Sequence, residues 1–311
     1  MFRTLNPVSE STLMKTRSLP LVAALGLTLL PGWLIAQPSA HYVPGVEGIK
    51  GSSLPPPGFY LRDYNVYYTA SQVNDTSGHS AGPPNFGASV YANVPRALWI
   101  SDAKVLGGYV GADALLPLVY QHGRAGGWDS STFGVGDFFG EATLSWHLQQ
   151  FDFAAGVGEW APTGDSPGHA PPPPSTRAGL GYWTTMLTAG ATWYVDADKT
   201  WALSALNRYE FNSEQRDTDI TYGQAYTLEW GASKTVNKTI DLGVVGYYQQ
   251  QVTSNTGAPS SSRNRVAAAG PEVSIAFPKP MLFVSARYLY EFMAESRARG
   301  QTLALTLTKA F

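Results

Sequence analysis

The sequence predicts an all-β protein, a transmembrane up-and-down antiparallel β-barrel of about twelve strands. Segments with alternating apolar and polar residues run along most of the 311-residue chain. Short and long connections alternate between them, as in barrels whose turns and loops lie on opposite sides of a membrane. Only 14% of the residues are charged and 13% are aromatic, whereas soluble domains carry about 25% charged residues. This composition fits a lipid-facing surface with aromatic girdles better than it fits a soluble β-sandwich.

The first 36 residues have the pattern of a secretory signal peptide. Lys15 and Arg17 precede an apolar run that ends near Ala36, and a basic stretch before an apolar run of this kind marks export. Met14 lies just before them and is an alternative start. Pro31-Gly32 interrupts the run, which is shorter than the roughly 20 apolar residues of a spanning helix. This disfavours a membrane anchor.

We expect signal cleavage between residues 36 and 40. Residues 41–56 are rich in Gly and Pro and predict a periplasmic lead-in, and residues 57–311 then form the barrel. Ten and fourteen strands are the alternatives to twelve. The predicted strands are 58–71, 89–101, 104–120, 134–148, 151–162, 184–196, 200–212, 219–235, 239–253, 264–277, 281–293 and 300–311.

The connections predict an orientation in the membrane. Residues 163–182 form the longest loop and contain four consecutive prolines, which cannot donate to a β-ladder and belong outside the sheet. Residues 254–263 form a second polar loop, whereas 197–199 and 278–280 are tight turns. We expect the two loops outside the cell and the two turns in the periplasm.

Alternation also predicts which side chains face the lumen. On the seventh predicted strand, Trp201 and Leu203 share one face, and Arg208 and Glu210 share the other. The charged face belongs inside, because Arg or Lys at the bilayer midplane costs about 2–4 kcal/mol. The candidate lumen-lining residues are Asp137, Glu141, His147, Arg208, Glu210, Glu229, Arg287 and Glu291. These groups of mixed sign can guide a solute, or they can pair across strands and close a narrow barrel.

The last predicted strand carries an apolar face that ends on the final residue. Leu305, Leu307 and Phe311 lie on this face and are the candidate assembly signal, recognised by the barrel assembly machinery. Lys309 stands two positions before the terminal Phe, where outer-membrane barrels often have an aromatic residue, which weakens the match to that signal.

The sequence gives little support for catalysis, a cofactor or nucleic-acid binding. It has no Cys, five scattered His and a net charge of −2, so neither a thiolate site nor a polycationic surface is present. The histidines show no metal-binding spacing. His147 and Ser145 share a strand face, but side chains two residues apart on a strand lie about 6–7 Å from each other, too far for direct proton transfer. We therefore expect no enzyme, no metal and no cofactor.

Several short motifs occur in an order that resembles a known family. They are Gly134-Val-Gly-Asp137, Ala161-Pro-Thr-Gly164, Gly179-Leu-Gly-Tyr-Trp183, Tyr209-Glu-Phe-Asn212, Gly246-Tyr-Tyr-Gln249, Gly270-Pro271 and Tyr290-Glu-Phe292. Over residues 45–311 the chain is similar to the SphA-like group, the meta-pathway phenol-degradation proteins. The resemblance implies an outer-membrane β-barrel associated with the breakdown of aromatic or hydrophobic compounds.

The function that we expect from the pattern and the resemblance together is uptake. The chain would be a channel for small hydrophobic or aromatic solutes in the outer membrane of a Gram-negative cell, surrounded by outer-membrane lipid. The alternative is a non-conducting structural or adhesive barrel, and a barrel hydrolase is less favoured.

Overall fold

The fold is a closed antiparallel β-barrel. A computed structural model describes residues 40–165, 178–216, 218–258 and 262–311. The expected signal peptide and its cleavage site lie outside the described residues. Within these ranges, no helix has the length and apolar character needed to cross a membrane.

Fourteen β-strands follow one another along the described residues. They are β1 (Gly58–Asn74), β2 (Gly87–Val105), β3 (Gly108–Leu115), β4 (Leu118–Ala125), β5 (Trp128–Val135), β6 (Phe138–His147), β7 (Phe151–Ala161), β8 (Thr184–Tyr194), β9 (Trp201–Asn212), β10 (Ala225–Val236), β11 (Ile240–Gln251), β12 (Arg265–Phe277), β13 (Leu282–Glu295) and β14 (Arg297–Ala310). Each strand from β7 to β13 pairs with both of its sequence neighbours, β6 pairs with β7 and with β3, β3 pairs with β2, and β1 pairs with both β14 and β2. These pairings close the ring.

The ring has twelve strand positions, which confirms the predicted barrel. The two additional strands arise because the third and fourth positions are interrupted. The C-terminal half of β2 pairs with β3 and its N-terminal half pairs with β4. β3 and β4 are therefore two parts of one strand position in the ring. Pro117, which has no backbone N–H to donate, lies at that break. β5 and β6 are likewise two parts of one strand position, with Gly136 and Asp137 between them.

Tight turns connect the strands at one end of the barrel. Leu106 and Gly107 have φ values of 52° and 80°, and Asn237 and Lys238 have 55° and 59°. Two successive left-handed residues are typical of the type I′ turns that suit twisted hairpins. Two sequence predictions were wrong here. The predicted strands 89–101 and 104–120 imply a tight turn at Asp102-Ala103, but these residues are part of β2. The predicted strands 104–120 and 134–148 leave a polar loop at 121–132, but this stretch is largely the β4–β5 hairpin.

The outer face of the barrel is mainly apolar. Exposed large side chains include Leu61, Trp99, Phe153, Leu187, Trp193, Trp201, Leu203, Leu242, Phe283, Tyr288, Leu303 and Leu305. One polar cluster interrupts this face, where Asn93 and Asn65 donate to Asp63 and the Tyr91 hydroxyl donates to Asn65. Inward-facing positions carry the buried polar groups described below.

The segment before β1 does not have the position that the sequence suggested. Residues 41–56 were expected to be a periplasmic lead-in, but they hydrogen-bond to buried, inward-facing side chains of β1, β9, β10 and β12. The segment therefore lies inside the barrel. The prediction was wrong because Gly- and Pro-rich composition shows only that the chain forms no ladder, and not where the chain lies.

Candidate functional site

Residues 40–57, here called the lumen segment, run through the barrel from one end to the other. His41 contacts Thr184, the first residue of β8, at the end of the barrel that carries the long loops. Lys50 contacts Asp241 beside the β10–β11 turn, at the opposite end. The chain then leaves the lumen at Gly58, where β1 begins.

The tip of the segment is His41, which is buried among polar and aromatic groups. Its Nε2 lies 3.0 Å from Oδ2 of Asp137, and its Nδ1 lies 2.7 Å from Oγ1 of Thr184. The imidazole stacks on Trp160, with ring centroids 5.4 Å apart and planes inclined by 16°, and it meets the edge of Tyr182 at 4.7 Å. Burial lowers the pKa of His41 below its ordinary value, and the hydrogen bond with Asp137 opposes this only in part.

Tyr42 fills the next position and contacts a buried ion pair. Arg208 on β9 and Glu229 on β10 approach to 2.7 Å. The ring of Tyr42 has its centroid 4.0 Å from the guanidinium carbon of Arg208, and its hydroxyl donates to Oε2 of Glu229 at 2.5 Å. Burial raises the pKa of the Tyr42 hydroxyl well above its ordinary value. The hydroxyl therefore stays protonated and remains a donor.

Two carboxylates hold the backbone of the segment. The N–H groups of His41 and Tyr42 both donate to Oε1 of Glu210 at 3.0 Å. The N–H groups of Gly45 and Glu47 donate to Oε1 of Glu229 at 2.7 and 3.1 Å. These charge-assisted bonds satisfy backbone donors that no β-ladder reaches.

Glu47 is the main charged side chain that the segment itself contributes. Its carboxylate accepts from Arg62 at 3.1 Å, from Arg96 at 3.0 Å and from the Tyr64 hydroxyl at 2.7 Å. Burial acts to raise the pKa of Glu47, but the guanidinium groups of Arg62 and Arg96 outweigh it and lower the pKa to about 2. Glu47 is therefore ionised throughout the physiological range.

The remaining contacts lie nearer the tight-turn end. The N–H of Ile49 donates to Glu272 at 3.0 Å, and Lys50 pairs with Asp241 at 2.9 Å. The hydroxyl of Ser52, only 1% exposed, donates to the carbonyl of Ala205 at 2.7 Å. The lumen segment is thus held by side-chain contacts along its length, with no covalent cross-link, since the chain has no Cys.

Most of the predicted lumen-lining residues lie in this network. The buried ones are Asp137, Glu141, Arg208, Glu210, Glu229, Arg287 and Glu291. Asp137 is at the break between β5 and β6 rather than on a strand. His147 differs from the others, because it is exposed at the end of β6 and its Nδ1 lies 3.1 Å from Asp152.

The sequence reading missed several members of the network. They are His41, Tyr42, Glu47, Arg62, Arg96, Asp113 and Glu272. Arg62 and Arg96 lie on strands that the sequence did predict, and their charge within an alternating pattern is a usable signal. Residues of the lumen segment gave no such signal, because partners such as Glu210, Glu229 and Ala205 lie more than 150 positions away along the chain.

A small cavity remains beside the lumen segment. Its volume is about 70 Å³, and Glu47, Arg62, Arg96, Glu141 and Arg208 are among its lining residues. A protein cavity known to hold benzene has about 150 Å³. The cavity beside the docked segment is therefore too small for an aromatic ring.

The described residues hold no cluster of three His, Cys, Asp or Glu side chains arranged to bind a metal. The assembly-signal residues lie on β14 and at the chain end. Leu305 is exposed on the outer face, Leu307 is half-buried, and the ring of Phe311 lies 5.8 Å from that of Phe59 on β1.

The fold and this lumen define the class of the protein, a twelve-stranded barrel of the outer-membrane type with a segment of its own chain inside. The family model described as "Putative MetA-pathway of phenol degradation" matches residues 70–307. The chain belongs to this family, which confirms the resemblance seen in the sequence. Among curated proteins, none matches the chain in sequence.

A solved structure with a TM-score above 0.5 shows the same fold. The chain is similar to the COG4313 outer membrane channel from Pseudomonas putida F1, with a TM-score of 0.73, 17% identity and coverage of 84% of this chain and 97% of that one. It also matches the β-domain of the Bordetella autotransporter BrkA, with a TM-score of 0.47, 12% identity and coverage of 83% and 100%. The chain also matches the TodX monoaromatic hydrocarbon channel deltaS2 mutant, with a TM-score of 0.46, 12% identity and coverage of 85% of this chain and 97% of that one. The last two scores are too low to say anything about function.

Proposed function

We propose that the protein is an outer-membrane channel for the uptake of small hydrophobic or aromatic compounds, and that the lumen segment closes it. Membership of the phenol-degradation family supports the solute class. The closed ring and its apolar outer face support a position in lipid. The protein reaches the outer membrane through the signal peptide and is inserted by the barrel assembly machinery.

The lumen segment is the observation that carries the proposal. A structural barrel of this size needs only wall side chains that pair across the lumen. Here the carboxylates of Glu210 and Glu229 instead accept backbone N–H groups from a separate stretch of chain. Water can replace such bonds when the segment leaves, so the lumen can be emptied without breaking the β-ladders of the wall.

The size of the remaining cavity requires that the segment move. With about 70 Å³ beside the segment, an aromatic ring has no room to enter. We infer that transport proceeds when the lumen segment withdraws. The mixed-sign residues Arg208, Glu210, Glu229, Arg287 and Glu291 then line the passage.

Planar bilayers and vesicles test the channel directly. Deleting residues 41–54 should produce a barrel that still folds and conducts several-fold more than the native protein. The same deletion should speed phenol entry into vesicles whose outer leaflet is lipopolysaccharide, which slows phenol permeation through the lipid itself. The double variant Thr76→Gly, Ser77→Gly changes an exposed loop between β1 and β2 and is the control. A folded deletion variant with native conductance and native phenol entry would contradict the channel.

A non-conducting structural barrel is the second candidate, and the ion pairs of the lumen favour it. Arg96 holds Asp113 at 2.8 Å and Glu47 at 3.0 Å, which ties the segment to two neighbouring strands. A closed barrel would keep low conductance in every variant that leaves these pairs intact and in the deletion variant as well. We do not propose a hydrolase, since Ser145 is fully buried and His147 is paired with Asp152.

A further inference from the structure

Tyr42 is bound in the lumen as a small phenol would be. Its side chain is 4-methylphenol attached to the backbone. The ring lies over the guanidinium of Arg208, and the hydroxyl donates to Glu229. Both partners belong to the barrel wall, on β9 and β10, and neither depends on the lumen segment for its place in a strand.

Apolar side chains complete the surroundings of the ring. Tyr42 belongs to a buried cluster with Phe139, Trp160 and Met186 from β6, β7 and β8. The wall therefore offers an apolar surface, a cation for the ring face and a carboxylate for the hydroxyl. Cation–π contacts contribute about 2 kcal/mol or more when they are shielded from water.

We propose that these wall groups form a binding site for neutral phenols, which Tyr42 occupies as an internal ligand until a phenolic solute replaces it. This inference rests on the proposed channel and names the solute class that the lumen selects. A phenol that takes the place of Tyr42 removes the side-chain contacts that Tyr42 makes with Arg208 on β9 and Glu229 on β10, which weakens the docking of the lumen segment. Binding of the solute therefore favours withdrawal of the segment.

The chemistry of the site selects one form of the solute. The Glu229 carboxylate accepts a hydrogen bond from the hydroxyl of the bound group. Toluene has no hydroxyl, so it leaves a buried carboxylate oxygen with one hydrogen bond fewer. A phenolate cannot donate and is repelled by the carboxylate. Unsubstituted phenols are neutral at pH 7, because the phenolic hydroxyl has an ordinary pKa of about 10. Arg208 also has an Nε–H without a hydrogen-bond partner, which can bind a second polar substituent.

Truncation of Tyr42 gives a direct test. Tyr42→Ala removes the ring and leaves its surroundings in the wall. Calorimetry on the purified barrel in detergent should show 4-methylphenol binding at least about tenfold more tightly than toluene, because a hydrogen bond to a charged acceptor is worth that factor or more. Tyr288→Ala removes the same side chain from the outer face and should show no such difference. Equal binding of 4-methylphenol and toluene by Tyr42→Ala would overturn the proposal.

A second measurement does not require the truncated variant to fold. Cysteine at Ser52 is a probe for withdrawal, because this position lies on the lumen segment, is buried while the segment is docked, and the chain has no other Cys. In Ser52→Cys, 4-methylphenol should speed labelling by a thiol reagent, and toluene should not. Adding Tyr42→Phe weakens the internal ligand and should lower the 4-methylphenol concentration needed by about tenfold. Labelling that does not respond to 4-methylphenol in either background would also overturn the proposal.

The two proposals fail in different ways. If 4-methylphenol binds as described but does not cross a membrane that contains the barrel, the phenol site is supported and the channel is contradicted. If phenol crosses the membrane at the same rate through Tyr42→Phe and through the native barrel, with no preference over toluene, the channel is supported and the phenol site is contradicted.

Discussion

Asp137 and His41, separated by 96 positions in sequence, meet at 3.0 Å inside the barrel. The break between β5 and β6 places the Asp137 carboxylate at the tip of the lumen segment. The same carboxylate accepts the N–H groups of Gly164 at 2.9 Å and Leu180 at 2.7 Å, on the two sides of the longest loop. One side chain therefore links the interrupted wall, the long loop and the lumen segment.

Acid should weaken docking of the lumen segment through His41. Burial lowers the pKa of His41 below 6.5 in the docked state, so the released segment binds the proton more readily. Docking is then at full strength above pH 6.5 and weakens as the pH falls through the lowered pKa. Because the thiolate is the reactive form of cysteine and its fraction falls with pH, the labelling rate of Ser52→Cys is divided at each pH by that of the exposed cysteine in Ser262→Cys. This ratio should rise between pH 7 and 5, by at most about tenfold per pH unit, the limit for one proton.

His41→Asn is the matched variant for this pH dependence, because it keeps a polar side chain that does not titrate in this range. Its labelling rate, divided in the same way by that of the exposed reference cysteine, should be higher than that of the parent at pH 7 and should lose most of its dependence on pH. An unchanged pH profile in His41→Asn would assign the titration to a different group.

Removing the charge of Glu229 should release the segment. This carboxylate accepts from Tyr42, Gly45, Glu47 and Arg208, and breaking a buried pair by removing one partner costs about 3–5 kcal/mol. Glu229→Gln should raise Ser52→Cys labelling and channel conductance by tenfold or more. Glu295→Gln, which breaks a partly exposed pair with Arg265, should leave both near the parent value, and equal effects of the two variants would contradict this role.

A charge on the outer face should impair folding. Leu203 and Tyr288 are exposed on β9 and β13, and an Arg in mid-bilayer lipid costs about 2–4 kcal/mol. Leu203→Arg and Tyr288→Arg should therefore reduce the folded, heat-modifiable form on gels of outer-membrane fractions. Asp198→Arg, in the exposed β8–β9 turn, should not. Normal folding of both outer-face variants would argue that this face does not contact lipid.

The ring of Phe311 should affect the yield of inserted barrel more than its contacts in the folded protein suggest. Phe311 is 64% exposed and Phe133 on β5 is 67% exposed, so truncating either to Ala loses a similar apolar contact. We expect Phe311→Ala to lower the yield of inserted barrel several-fold and Phe133→Ala to leave it nearly unchanged. Similar yields from membranes, measured by heat-modifiable migration, would count against an assembly signal at Phe311.

Orientation in the membrane is tested by labelling intact cells. Cysteine at Ser262, in the long β11–β12 connection, should react with an impermeant thiol reagent, whereas cysteine at Lys279, in the tight β12–β13 turn, should not. Both become reactive after the outer membrane is made permeable. The reverse pattern in intact cells would invert the topology.

The sequence by itself determined the barrel, the positions of most strands outside β3–β5 and the inward facing of charged strand residues such as Glu141 and Glu291. Alternation has a period of two whatever the partner strand, so Arg208 and Glu210 are assigned to one face without knowledge of the fold. The family could also be recognised from the sequence, because its motifs lie in strands and turns that the alternating pattern predicts.

The tertiary structure alone decided what fills the barrel. Residues 40–57 have no periodicity, and their partners Glu210, Glu229 and Asp137 come from distant parts of the barrel wall that meet only when the ring closes. The breaks at Pro117 and Asp137 likewise depend on pairing across the sheet. β2 pairs first with β4 and then with β3, and these strands pair in turn with β5 and β6. Local sequence encodes strand and turn, but a contact across a lumen depends on the closure of the whole sheet.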